Sequence, residues 1–215
     1  MTLRRQIFMW CSISMCGAIL VNGIDVFAQW FAVSRNGSDE ILWDIMWLLF
    51  PFFFAFVMIF VSIVLLIFRK TRKTALLALL ASLTYLIVSF GMFDIGWQVR
   101  RYGFHRLAER SVPLVQAIRR FENEKGHPPN SLKDLIPEYL HSIPDTGMGA
   151  YPNYKYIVGE ESRKRWDNNP WVLYIDTPSG GINWDMFMYF PNQNYPKRGY
   201  GGDLEQIGYW AYVHE

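Results

Sequence analysis

The sequence predicts two unlike halves: hydrophobic helices over residues 1–99, then an α+β domain over residues 100–215 with a long helix packed on a small antiparallel sheet. Three observations predict this division. Charge is scarce before Val99, which is preceded by seven of the 21 Lys and Arg and five of the 19 Asp and Glu; the other 14 of each sign follow. Three apolar runs each reach the ~20 residues needed to cross a hydrocarbon core of ~30 Å. Beyond Pro144 the pattern changes from helical spacing to short stretches rich in aromatic and β-branched residues, the composition of strands.

The apolar runs cover about residues 7–33, 41–68 and 75–99. Water is absent from a bilayer core, so each must be a helix that closes its own backbone hydrogen bonds. Residues 50–68 are apolar apart from Pro51 and Ser62, which disfavours a buried helix of a water-soluble bundle. Arg4 and Arg5 precede the first run, and Arg69, Lys70, Arg72 and Lys73 fill the turn between the second and third. Positive charge marks the inner side, which predicts a bacterial inner-membrane protein with a cytoplasmic amino terminus and a periplasmic carboxy-terminal domain. Arg100, Arg101 and Arg106 weigh against this orientation. A second reading of the amino terminus stays open, in which MTLRRQ, the apolar run and Ala28 form a signal peptide.

Asp25, Asp44 and Asp94 are the acids within the apolar runs. At 1.5 Å per residue Asp25 lies ~27 Å along the first helix, so all three are expected at the outer interface, near Trp30, Trp43, Trp47 and Trp97. There they sit in wet headgroups, paired with Arg100 or Arg101; a proton or cation site is the alternative.

In the polar half, Leu107, Leu114, Val115, Ile118 and Phe121 recur at helical spacing. Pro113 predicts either a kink in one long helix or a fresh start capped by Ser111. Gly126 and the prolines after it end the helix, and Ser131 with Asp134 has the spacing of a capping box for a short second one. Residues 154–158, 171–176, 182–190 and 207–213 read as strands of a sheet with one covered face, and Thr177-Pro178-Ser179-Gly180-Gly181 as a hairpin turn.

The stretch AIRRFENEKGHPPNSLKDLIPEYLHSIPD, Ala117 to Asp145, resembles the headpiece of type II secretion pseudopilins and related type IV pilin-like proteins. Gly126, Pro129, Ser131, Leu132, Leu135, Pro137, Tyr139, Leu140, Ile143, Pro144 and Asp145 stand at the matching places. The resemblance implies a pilin-like fold and an outward-facing location. The helix leading into the headpiece is here the third apolar run, without a pilin's processing glycine and following acid, and Thr146-Gly147 stands where proline-tryptophan-glycine often follows the aspartate.

Residues 151–215 hold 15 aromatics among many amides. Core filling explains the aromatics; exposed, they would suit a glycan such as cell-wall sugar. The candidate binding surface is Trp184, Asp185, Asn192, Gln193, Asn194, Tyr195 and Tyr200, most of it on the loop over residues 191–203. No catalytic set is expected: Asp185, His214 and Glu215 match no motif, and Ser179 lacks the nucleophile-elbow context. His105, His127, His141 and His214 are scattered, and Cys11 and Cys16 lie in the first apolar run, so neither metal nor cofactor is expected. The balanced charge of the polar half provides no basic face for nucleic acid. The sequence thus predicts a non-catalytic membrane protein, with the lipid bilayer and an envelope protein as its partners. A glycan-binding or sensing module and an immunity-type membrane protein acting against a toxin are the alternatives.

Overall fold

The computed structural model describes residues 2–44, 47, 49–180 and 184–214, with the side chains of Trp43 and Asp44 outside the description. The chain divides into two compact units: residues 1–29 with 40–99, and residues 30–39 with 100–215.

The first unit is helical. Helix α1 (Leu3–Ala32) contains no proline and is apolar on most of its circumference. The short α2 (Glu40–Asp44) and then α3 (Leu49–Leu65) follow, and α4 (Arg72–Arg110) contributes its first part. The apolar run over residues 41–68 is described as α2 up to Asp44 and α3 from Leu49, with residues 45, 46 and 48 outside the described residues. Pro51 sits in the first turn of α3, where its missing N–H is no loss. At the other end of α3 the Thr71 hydroxyl donates to the Leu65 carbonyl at 2.7 Å, which satisfies a terminal acceptor.

Contacts fix the helix directions. The Ser14 hydroxyl donates to the Ala81 carbonyl at 2.6 Å, and Asn22 Nδ2 donates to the Ser89 hydroxyl at 2.9 Å. Both partner numbers rise together, so α1 and α4 run parallel. Phe52 of α3 meets Phe90 and Phe93 at ring distances of 5.4 and 5.9 Å. Ala18, Asn22 and Ala28 are buried on one face of α1, small residues that let the helices approach closely. The large side chains Phe8, Leu20, Phe50 and Ile87 instead point outward, each at least 70% exposed.

The second unit takes the end of α4, then α5 (Val112–Lys125), a 3-10 turn (Leu132–Leu135) and six strands. These are β1 (Lys155–Val158), β2 (Trp171–Asp176), β3 (Met186–Tyr189), β4 (Arg198–Gly199), β5 (Gly202–Ile207) and β6 (Trp210–His214), with α6 (Glu160–Arg165) between β1 and β2. The curled sheet has the order β1-β2-β3-β6-β5-β4 and every pairing is antiparallel. It comprises two three-stranded meanders joined where Phe187 of β3 faces Tyr212 of β6.

At Pro113 the two sequence options merge. Ser111 is helical and its hydroxyl turns back to the Ala108 carbonyl at 2.7 Å, so it caps nothing, while the Val115 amide still reaches the Ser111 carbonyl at 3.0 Å. The ladder therefore continues around the proline. Gly126, with φ of 79°, ends α5 in the left-handed conformation that glycine adopts without a Cβ clash. Ser131 and Asp134 bond as expected, Asp134 Oδ2 accepting from the Ser131 amide at 2.9 Å, although the element they open is a 3-10 turn.

Strand alternation explains the two cores. On one face Phe104 of α4 stacks on Phe187 and meets Tyr212, and Trp210 stacks on Phe187 at 5.0 Å. Helix α5 is tied to this face where Trp171 Nε1 donates to Glu122 and Arg119 donates to the Tyr189 hydroxyl. On the other face Val172, Met188, Phe190, Ala211 and Val213 form a second cluster, closed by Trp166, Tyr195 and Tyr200. The expected sheet with one covered face is thus corrected to a sheet covered on both. The expected strand over residues 207–213 is likewise two strands, β5 and β6, turning at Gly208, whose φ is 63°. The strand expected over 182–190 is described from Met186 to Tyr189, with Ile182 and Asn183 outside the described residues.

Candidate functional site: a self-bonded loop, a buried arginine and a cleft

The amide-rich loop after β3 bonds mainly to its own domain. The Asn169 side chain bridges to Asn194 Oδ1 at 2.8 Å and accepts from the Asn192 amide at 3.1 Å. Asn194 Nδ2 donates to the Asp167 carbonyl, and Gln193 Nε2 to the carbonyls of Phe190 and Tyr209. The Tyr195 hydroxyl donates to the Tyr209 carbonyl at 2.8 Å and accepts from the Phe190 amide at 2.8 Å. Tyr200 stacks on Trp166 at 4.8 Å with its hydroxyl on Asp167. Burial raises the pKa of both phenols. The loop is a latch over the second core, and the groups that would grip a sugar are engaged there.

Asp185 and Trp184, adjacent in sequence, part company. Asp185 is buried and accepts from the Ser179 hydroxyl at 2.8 Å and the Tyr212 hydroxyl at 2.5 Å. Trp184 is 75% exposed. The structure therefore does not bring the seven predicted residues onto one surface.

Arg100 is the residue that sequence reasoning misplaced. It heads the buried stripe Arg100, Phe104, Leu107, Ser111, Leu114 and Ile118, whose spacing of four, three, four, three and four is one helix face. The guanidinium donates to the Tyr212 hydroxyl at 3.3 Å, the Tyr151 hydroxyl at 3.1 Å and the Thr177 carbonyl, and lies 5.2 Å from the Phe104 ring. Tyr151 passes its own proton to the Pro178 carbonyl at 2.7 Å. Burial raises the pKa of Tyr212 and of Tyr151, partly opposed by the cation beside them. Extending the apolar stripe back from Leu107 by three and then four residues would have found Arg100. Its neighbour Arg101 pairs with Glu205 at 2.8 Å, and Glu205 also meets His214 at 3.2 Å; Glu215 is outside the described residues.

Among the membrane-candidate acids, Asp25 is half-buried, with a carboxylate oxygen 3.1 Å from where a Cβ on Gly96 would stand. Asp94 is exposed and accepts from Gln98 at 2.7 Å. The two lie at similar heights on the parallel helices; the Asp44 side chain lies outside the described residues. Ala28, the small residue of the signal-peptide reading, is buried inside α1.

A cleft of about 620 Å³ opens between the α4–α5 junction and the β5–β6 turn. Val112, Val115 and Tyr209 supply apolar lining, with His105, Gln116 and Arg119 as polar groups. Among the described residues no group of three His, Cys, Asp or Glu could hold a metal ion. Two helices, Leu3–Ala32 and the continuous Arg72–Lys125, are long and apolar enough to cross a membrane, and the apolar α3 has 17 residues. The class defined by these features is a chain with apolar helices in its first half and an antiparallel sheet domain in its second. Comparison with family models, with curated proteins and with solved structures returned no match.

Proposed function

We propose that the chain is a non-catalytic integral protein of a bacterial inner membrane. In this reading it crosses the bilayer three times, through α1, α3 and the first part of α4, and presents a pilin-like domain to the periplasm for contact with another protein. The observation that carries the reading is the outward exposure of large apolar side chains on all three helices, which water would penalise by about 1.5–3 kcal/mol per side chain. The second unit, by contrast, closes apolar cores on both faces of its sheet. At 17 residues α3 sits at the lower end of the spanning range of ~17–25.

The pilin-like reading rests on the arrangement of residues 117–145 about α5. Tyr139 donates to Glu124 at 2.8 Å under the Arg120 guanidinium and packs on Phe121, which holds the segment after the 3-10 turn against the helix. The cleft supports a protein-binding role, being concave and mostly apolar with few polar groups. Enzyme and reporter-domain fusions after Phe68 and Glu215 test the topology. Activity of an exported alkaline phosphatase at Glu215 and of a cytoplasmic fluorescent protein at Phe68 is expected, and the reverse would overturn it. Photo-crosslinking from Tyr209, at the cleft, is expected to trap a discrete envelope protein in cells; Tyr209 without adducts would remove the partner claim.

A further inference from the structure

Within the first unit, helix α4 turns one face to α1 and the opposite face outward. Asn22 of α1 donates to the Ser89 hydroxyl, and a Cβ on Gly96, seven residues further along, would stand 3.1 Å from an Asp25 carboxylate oxygen. At about 100° per residue, Ile87, Gly91, Asp94 and Gln98 lie about 140–200° around the helix from Ser89, and all four are exposed. Phe90 and Phe93, which meet Phe52 of α3, lie to one side of them. The spacing of four, three and four is that of a seam between paired helices. Gly91 is open, with nothing among the described residues within 4 Å of where a Cβ would stand. Glycine weakens a helix interior relative to alanine, and no close approach inside the unit calls for it here.

We propose that this face of α4 is the interface of a parallel homodimer, in which two copies of the chain pack Ile87, Gly91, Asp94 and Gln98 against their counterparts. The proposal rests on the membrane reading given above and names a partner for its third span. In that reading residues 75–99 measure ~37 Å at 1.5 Å per residue, longer than a hydrocarbon core of ~30 Å by about 4 Å at each end. Asp94, ~7.5 Å from Val99, then falls just inside the core. Ionisable groups within a bilayer turn toward protein, whereas Asp94 is turned away from α1. The arginines expected to neutralise it are engaged elsewhere, Arg100 on Tyr212, Tyr151 and Thr177 and Arg101 on Glu205.

The chemistry of the pair selects a second copy as the occupant. Gln98 Nε2 donates to Asp94 Oδ2 at 2.7 Å. The amide has a second N–H and the carboxylate a second oxygen, and among the described residues no other hydrogen bond engages either. One face thus carries a donor and an acceptor a turn apart, and a twofold axis along the membrane normal sets each Gln98 against the other copy's Asp94. Four hydrogen bonds then close a ring in which amide N–H groups stand between the two carboxylates and offset their repulsion. Gly91, one turn before Asp94, removes the side chain that would hold the two backbones apart. Gly17 on α1 is equally open, but Ile13, Leu20 and Ile24 around it offer no polar group to select a partner.

The test uses the full chain at low density in vesicles of phosphatidylcholine and phosphatidylglycerol, with Cys11→Ala and Cys16→Ala as background. Lys133→Cys, in the exposed 3-10 turn, carries a donor dye in one preparation and an acceptor dye in another. Energy transfer between mixed copies is expected, and it should fall severalfold with Gly91→Leu. That side chain finds open space within a single copy, so it blocks the contact without disturbing the fold. Gly17→Leu should leave the transfer unchanged. Asp94→Ala should lower it severalfold, whereas Asp94→Asn, which keeps an acceptor and adds a donor, should hold it at or above that of the parent. Transfer no greater than chance encounter would overturn the proposal. So would transfer that Gly91→Leu and Asp94→Ala leave intact, which would place self-association on another surface. The fusions after Phe68 and Glu215 report spanning independently, so a chain that spans without pairing refutes the dimer alone.

Discussion

Replacing Arg100 with methionine should unfold the second unit far more readily than its position beside an apolar helix suggests. Among the described residues the guanidinium donates to the oxygens of Tyr212, Tyr151 and Thr177. Both phenols keep a use for their protons, on Asp185 and on the Pro178 carbonyl, so their loss is partial. The Thr177 carbonyl loses a buried donor, which costs about 1–3 kcal/mol. Asp185 keeps its hydroxyl donors yet loses the nearby cation, and truncating one member of a buried charged network costs about 3–5 kcal/mol in total. For a unit of this size that corresponds to a fall in midpoint of roughly 10–20 °C, at about 3–5 °C per kcal/mol. The assay is thermal unfolding of the full chain in detergent, followed by near-ultraviolet circular dichroism from the Phe104, Phe187, Trp210 and Tyr212 cluster. Adding Asp185→Asn to Arg100→Met should recover part of the loss, about 1 kcal/mol or more, because coupled neighbours are not additive. An Arg100→Met protein within about 0.5 kcal/mol of the parent, the scale of an ordinary surface change, would refute the reasoning.

Gly149→Ala should loosen residues 34–37, to which the Gly149 amide is tied by donating to the Ser34 carbonyl at 2.8 Å, since the new Cβ would lie 2.4 Å from the Gly37 carbonyl oxygen and 2.7 Å from its nitrogen, backbone atoms with little room to yield. A cost of about 1–3 kcal/mol is expected, read as severalfold faster tryptic cleavage at Arg35. Raising the pH should unfold the second unit cooperatively: burial first, joined for most by nearby acids, raises the pKa of Tyr154, Tyr156, Tyr195, Tyr200 and Tyr212 above the ordinary 10.0, and Tyr139 is pushed up to about 12. A raised folded-state pKa gives stability that is complete below pH 10 and is lost as pH climbs through the folded values. Tyrosinate absorbance should therefore appear together with loss of near-ultraviolet dichroism, and smooth titration from pH 9 in a protein that stays folded would contradict the burial.

Elements with a single strong local cause were legible in the sequence. The long apolar helices, the end of α5 at Gly126, the pairing of Ser131 with Asp134 and strand β2 at Trp171–Asp176 each follow from periodicity or capping chemistry. Elements set by tertiary contact were not. Ser111 has cap chemistry, yet continuity of the ladder around Pro113 turns its hydroxyl back to Ala108. Gly208-Tyr209 is too weak a turn signal to divide one aromatic run into β5 and β6, and only the ladder from Asp203–His214 to Ile207–Trp210 makes the hairpin evident. Arg100 was assigned by its nearness to a span, whereas its helix face, four residues before Phe104, decides its fate.

The same distinction separates composition from surface in residues 191–201. Amides beside aromatics suit both a sugar site and a latch over a core, and the sequence contains nothing to choose between them. The choice depends on where the donors point. Asn169, Gln193, Asn194 and Tyr195 each bond to a main-chain carbonyl of the domain, so a sugar binding there would have to break bonds before it made any. Such an exchange leaves little net affinity, because each new hydrogen bond adds only about 0.5–1.5 kcal/mol to begin with. Among the described residues Trp184 has no such prior engagement, and at 75% exposed it presents its apolar surface at no cost in broken hydrogen bonds. Of the seven residues that composition grouped together, it is therefore the one whose surface an external ligand would cover without first breaking a hydrogen bond.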